Sequence, residues 1–147
     1  MVTDIAILYT ITKELKDNFP TFKILVDGNK SEIKKDTFSI QVRPLNSDTY
    51  KRYSKELFNI TIDYIKDKDL NQEEKLNMKT KLNKIFGMGI KIDKTYIVFQ
   101  NKSWNMDGVF SLSFTINFIN SLDELPLEDK YTSLMEELKL EMMKGER

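Results

Sequence analysis

An α+β domain, an antiparallel β-sheet with helices packed on one face, is the fold class this sequence predicts. Three observations carry the prediction. Segments of strict apolar–polar alternation recur through the middle of the chain. Capped stretches with helical spacing open, interrupt and close it. At 147 residues the chain most simply forms one domain with a substantial core.

The elements follow in order. Thr3 is placed to cap a first helix, with Asp4 at its positive end. Ile5, Leu8, Ile11, Thr12 and Leu15 recur at helical spacing until Phe19-Pro20. Phe22 to Val26 reads as a short strand closed by an Asp27-Gly28 turn, and the polar "NKSEIKKD" as a connector. "TFSIQVRP" places Phe38, Ile40 and Val42 on one face, with Pro44 expected to end the pairing. "ELFNITIDYI" alternates likewise through Phe58, Ile60, Ile62 and Tyr64. These two strands are expected to pair as an antiparallel hairpin with one wet face, joined by a long connection through "TYKRYSK". Asn71 and Glu74 form a capping box opening a second helix, with Leu76, Lys79, Leu82, Ile85 and Phe86 as its stripe and Gly87 as the residue after its end. "GIKIDKTYIVFQ" suggests a hairpin turning at Asp93-Lys94. Asp107-Gly108 starts the clearest strand, with Phe110, Leu112, Phe114, Ile116 and Phe118 alternating with polar residues. The order is α-β-β-β-α-β-β-β-α, for which helices on one face of one sheet are economical.

After Asn120 the composition changes. Residues 121–147 carry eight acidic and four basic side chains, and 1–120 are correspondingly basic, so the net charge is zero. Leu127, Tyr131, Leu134, Leu138 and Met142 recur at helical spacing there. We therefore divide the chain into an α+β domain, 1–120, and an acidic amphipathic helix, 121–147, that docks on this sheet or on a neighbour's.

Composition restricts the chemistry. Hydrophobic residues make up 40% and charged residues 31%, the balance of an ordinary folded protein. There is no cysteine and no histidine, which removes disulfides, thiolate chemistry, the commonest general base and the commonest metal ligand. The reading is of a non-enzyme, with no cofactor and no metal. Asp67 and Asp69 alternate as calcium ligands do, but no glycine supplies the sharp bend that such a loop needs. "GMG" at 87–89 lacks the lysine and helix of a phosphate loop. The amino terminus lacks a basic leader, and no apolar run is long enough to span a bilayer, so synthesis and residence in cytosol are expected. Abundant lysine, isoleucine and asparagine read as an AT-rich bacterial or phage genome.

The stretch "TYKRYSK" is the chain's most conspicuous surface chemistry. Tyr50, Lys51, Arg52, Tyr53 and Lys55 would suit phosphate contacts and base stacking. Asp48 and Glu56 nearly cancel the charge, however, which leaves a solvated hairpin or a protein-docking rim as the competing readings. Trp104 and Met106 beside Asp107-Gly108 read as a lid on the core or an interface anchor.

Across residues 1–120, the helix closing at "NFP", the strand with "VDG", "DTFSIQVRPLNSDTYKRYSKELFNITIDYI" and "LNKIFGMGIKIDKTYIVFQNKSWNMDGVFSLSFTINF" resemble the tail terminators of Gram-positive phages, prophages and phage-tail-like bacteriocins. The resemblance implies a structural assembly protein forming a hexameric ring on the last ring of the tail tube. The ring stops polymerisation and presents a joining surface to the head connector or, in contractile tails, to the sheath. The implied partners are other copies of the chain, the tube protein, the sheath and the connector, with no membrane and no sequence-specific nucleic acid. The implied location is the virion or tail-like particle, at the end distal to the baseplate. On this basis Arg43, Tyr50, Lys51, Arg52, Tyr53, Lys55, Trp104 and Met106 are expected to dock on the tube or a neighbour. Leu127, Tyr131, Leu134 and Leu138 are expected to form an inter-subunit helix. A head–tail connector or neck protein is the alternative within the same machine. A nucleic-acid-binding module using the 43–55 connection is the alternative from another class.

Overall fold

The computed structural model describes residues 2–26, 36–66, 68–122 and 128–144. The order is the expected one: α1 (Asp4–Asn18), β1 (Lys23–Leu25), β2 (Thr37–Thr49), β3 (Tyr53–Ile65), α2 (Gln72–Ile85), β4 (Gly89–Ile92), β5 (Thr95–Asn105), β6 (Phe110–Ser121) and α3 (Glu128–Lys144). The strands form one sheet in the order β1-β2-β3-β6-β5-β4. Every neighbouring pair is antiparallel except β1 and β2, which run parallel and make the sheet mixed. The sheet curls into a half-barrel, and α1 lies in its hollow, touching both β2 and β4.

The alternation in the sequence maps onto the two faces of this curl. Phe38 and Ile40 of β2, Phe58, Ile60 and Ile62 of β3, and Phe110, Leu112, Phe114, Ile116 and Phe118 of β6 point inward and are buried. Register stacks them in rows across the sheet, with Ile60 opposite Phe114 and Ile62 opposite Leu112. Such same-face cross-strand pairs are the unit of sheet stability.

Three local expectations are corrected. Pairing does not stop at Pro44: β2 continues to Thr49 through a register shift between Pro44 and Asn46. Because β1 covers only Thr37–Ser39, this part of β2 is an edge, where a missing backbone donor is tolerated. "TYKRYSK" is consequently no long connection. The strands run to Thr49 and from Tyr53, and the Tyr50 amide bonds the Tyr53 carbonyl at 2.8 Å around a tight tip. The second helix buries Met78, Leu82 and Phe86, a four-residue spacing, and leaves Leu76 exposed.

The caps of that helix differ in origin. Asn71 Oδ1 accepts from the Glu74 amide at 2.8 Å, as the capping box requires, while the Glu74 carboxylate accepts from Lys66 Nζ at 3.1 Å. At the other end no left-handed Gly87 is used. The Lys102 ammonium donates to the carbonyls of Phe86 and Gly87 and to Asn83 Oδ1, satisfying the last turn from β5. Burial lowers the Lys102 pKa from its ordinary value. Gly89 has a separate reason: a Cβ there would stand 2.3 Å from the Ile97 carbonyl oxygen across the β4–β5 pair.

The first helix buries Ala6, Ile7, Ile11, Thr12 and Leu15, with Ile5, Leu8 and Tyr9 half-buried. Its apolar arc is wide because it is packed on two sides, by the sheet and by α3. Asn120 ties the entry of α1 to the end of β6: its side chain accepts from the Val2 amide and donates to the Val2 carbonyl, both at 2.8 Å.

On α3, Tyr131, Met135, Leu138 and Met142 are buried and Leu134 is half-buried against this chain's own core. Tyr131 meets Tyr9 of α1 with ring centroids 5.7 Å apart, and Lys130 approaches Asp93 at 3.8 Å. The stripe expected to lie between subunits therefore has its partner within the chain. The second side of α1 would otherwise leave the Tyr9 ring without this partner. Leu127, Asp67 and the Asp27-Gly28 turn lie outside the described residues.

Tyr64 gives this packing a pH signature. Burial, and then the nearby Asp36 carboxylate, push its phenol up to about 12 from 10. The folded chain thus holds a proton that the unfolded chain releases, so the stabilisation is complete below pH 10 and is lost as pH rises from 10 toward 12. In an ultraviolet titration of the six tyrosines, Tyr64 is expected to ionise about two pH units late, and Tyr64→Phe should delete that step while leaving the delay of Tyr131, whose phenol burial also pushes up. Joint titration of all six near pH 10 would contradict the assignment.

Candidate docking surface

The outward face of the sheet changes character along its length. Toward one end the paired outward residues are Asp63 with Ser111, Thr61 with Ser113 and Asn59 with Thr115, a uniformly polar surface. Toward the other end the rows become Leu57 with Asn117 and Lys55 with Ile119 on β3–β6, and Gly89 with Val98 and Lys91 with Tyr96 on β4–β5. Tyr96, Val98 and Ile119 are 58%, 51% and 62% exposed, far from the condition of a core side chain. Lys55, Thr95, Tyr96, Asn117, Phe118 and Ile119 line a shallow groove of about 460 Å³ there. An exposed apolar cluster rimmed by charge is the ordinary signature of an interaction site.

The β2–β3 hairpin projects from this same end. All its residues from Arg43 to Tyr53 are exposed. Tyr50 and Tyr53 stack with centroids 4.7 Å apart and planes 21° from parallel, and Lys55 Nζ lies 5.8 Å over the Tyr50 ring. The stack gives a two-residue tip, Lys51-Arg52, a stiff base. A further bond, from the Leu122 amide to the Arg52 carbonyl at 2.9 Å, braces the tip against the end of β6.

The eight residues expected to dock therefore separate into two groups. Arg43, Tyr50, Lys51, Arg52, Tyr53 and Lys55 belong to the hairpin. Trp104 and Met106 lie near the opposite end of β6, since Trp104 pairs with Leu112 while Tyr53 pairs with Ser121, a span of roughly 30 Å at about 3.3 Å per residue. Trp104 is half-buried against Phe110 at 5.8 Å, with the ammonium groups of Lys79 and Lys102 each 5.9 Å from its ring. Met106 is half-buried, and its carbonyl accepts from Lys75 Nζ at 2.6 Å. Both close the end of the core.

Sequence reasoning missed Leu57, Tyr96, Val98 and Ile119. The signal was present: β6 runs Ser, Ser, Thr, Asn at its outward positions and then Ile119, and "TYIVF" has no polar alternate where a solvated strand needs one.

Among the described residues no three His, Cys, Asp or Glu side chains lie close enough to hold a metal ion. No described helix is long and apolar enough to cross a membrane. What the described surface offers is an aromatic, aliphatic and basic area.

The family described as "Phage tail terminator protein" matches residues 6–127, most of the chain and all six strands. This chain belongs to the phage tail terminator family. The family is one of structural phage tail proteins, which places the chain's role in tail structure and its mature location in the tail. The matched span ends just before α3, so the docked acidic helix lies beyond it. No curated protein matches the chain. Among solved structures, one is similar over 86% of this chain and 100% of its own, at 10% identity and a TM-score of 0.43.

Proposed function

We propose that this terminator assembles as a closed ring, expected to be hexameric, on the last ring of the tail tube and ends tube growth there. Membership of the terminator family over residues 6–127 is the observation that carries this reading. The mechanism is geometric and requires no reaction. A subunit that matches the tube below, but offers no copy of the tube's own upper surface, leaves the next tube subunit without a template. The outer edge of the β2–β3 hairpin, with Lys51 and Arg52 at its tip and Arg43 farther down β2 opposite Asn59, is the part assigned to the tube, pairing with its acidic residues. The opposite side of the ring is left for the head connector or, in a contractile particle or headless bacteriocin, for the last sheath ring.

Gold-labelled electron microscopy of tail particles carrying a tagged copy tests the assignment. Label confined to the end opposite the baseplate, on a ring in direct contact with the tube, is the expected result. Label on a ring separated from the tube by another layer would instead identify a connector or neck protein. Label along the tube would end the terminator reading.

A further inference from the structure

The exposed groove has a complement on the same chain. Helix α3 buries Tyr131, Met135, Leu138 and Met142, and its other side presents Glu136, Glu137, Leu140 and Met143 to solvent. Leu140 and Met143 are 58% and 65% exposed and stand three residues apart, hence on one helical face, a turn beyond the two glutamates. Helix burial on α1 already satisfies the core, so these two apolar side chains have no internal role. On the outward sheet face, Tyr96, Val98 and Ile119 are similarly surplus, and Lys55 and Lys91 flank them in register. One surface is apolar with acids and the other is apolar with bases.

Their placement is equally informative. The helices pack on the inward face of the sheet, and α3 packs on α1. The exposed stripe of α3 and the outward sheet face therefore belong to opposite sides of the subunit and are not available to each other within one chain. Complementary patches on opposite sides produce head-to-tail association, which closes into a ring when the rotation per subunit permits.

We propose that the Glu136–Met143 stripe of α3 on one copy docks in the Tyr96–Ile119 groove of the next and over the exposed Val98 on the same sheet face, with Glu136 and Glu137 set against Lys55 and Lys91. This names the subunit contact of the ring and rests on the ring reading above. It also assigns the sheet groove to a neighbouring copy and leaves the hairpin tip for the tube.

The chain has no cysteine, so introduced thiols report contacts without background. Leu140→Cys and Ile119→Cys replace exposed side chains and are expected to leave the fold intact. Each purified full-length variant is oxidised alone, in an equimolar mixture, and again with tail tubes added. The expected result is a disulfide dimer in the mixture and none in either variant alone. A chain carrying both cysteines should give a ladder that stops at the closed ring. A dimer from Leu140→Cys alone would show a two-fold contact and overturn the proposal. No dimer in the mixture, with light scattering reporting an oligomer, would overturn the contact and leave the ring reading standing. No dimer and a monomer under all conditions, tubes included, would overturn both. A ladder without an upper limit would support the contact and overturn the closed ring.

Charge reversal supplies a second readout. Glu136→Lys with Glu137→Lys, or Lys55→Glu with Lys91→Glu, should weaken association about tenfold or more, and mixing the two variants should restore it. Equal weakening in the mixture would contradict the pairing.

Discussion

Phe114→Ala is expected to lower the unfolding free energy by about 3–5 kcal/mol, the range for removing a large aromatic from a packed core. Phe114 is fully buried in β6, the strand that carries β3 on one side and β5 on the other. Its ring centroid lies 4.2 Å from that of Phe99 and 6.3 Å from that of Phe86, the last buried residue of the α2 stripe, and Ile60 sits opposite in register. Truncation therefore leaves a cavity walled by three elements that are fixed by hydrogen bonds elsewhere, so collapse around it is limited. Since a domain of this size has about 5–15 kcal/mol in total, the variant should be close to unfolding at growth temperature. Urea titration should show a lower midpoint with an unchanged slope. A loss below about 1 kcal/mol would mean that the site collapses freely and that the centre of the core lies elsewhere.

Arg43→Ala, Lys51→Ala and Arg52→Ala combined should leave the fold and its stability nearly unchanged and abolish capping. These three side chains are exposed and replaceable without a cavity. An exposed ion pair contributes only about 0.2–1 kcal/mol, which in a single contact would be barely measurable. Repetition around a ring changes the outcome, because the losses sum over every subunit that engages the tube at once. The expected phenotype is a broad distribution of overlong tubes, read by electron microscopy, and tube binding that in the unmutated protein weakens with added salt. Tails of normal length from the triple variant would remove the hairpin tip from the tube contact. Lys55 is kept native in this test, because its register opposite Ile119 assigns it to the groove.

Much of the fold was legible locally. Helix starts at Thr3 and Asn71 and the turns at Asp93-Lys94 and Asp107-Gly108 depend on side chains within a few residues of the backbone they control. The structure realises each: Thr3 Oγ1 accepts from the Ala6 amide, and Asp93 and Gly108 take the positive φ angles of 56° and 69° that such turns need. The strongly alternating strands were equally plain, because a half-buried sheet imposes its period on the sequence.

The docking surface was legible only in part. The basic and aromatic hairpin tip stands out because its residues are consecutive. The groove does not, because Lys55, Tyr96 and Ile119 come from three strands and become one surface only through the order β3-β6-β5. Trp104 and Met106 looked like part of the same surface, but register sets them at the other end of β6.

By itself, then, the sequence determined the class of the domain, the number and order of its elements, the absence of histidine and cysteine chemistry, and the family resemblance. Each is a property of residue type or short-range spacing. Only the tertiary structure decided that β1 joins the sheet in parallel, that β2 passes Pro44, that α3 buries its stripe on α1, and that an apolar groove stays open on the far side. Those outcomes depend on which surfaces meet across the chain. An amphipathic helix or an alternating strand specifies which face it must bury, but not what will cover it.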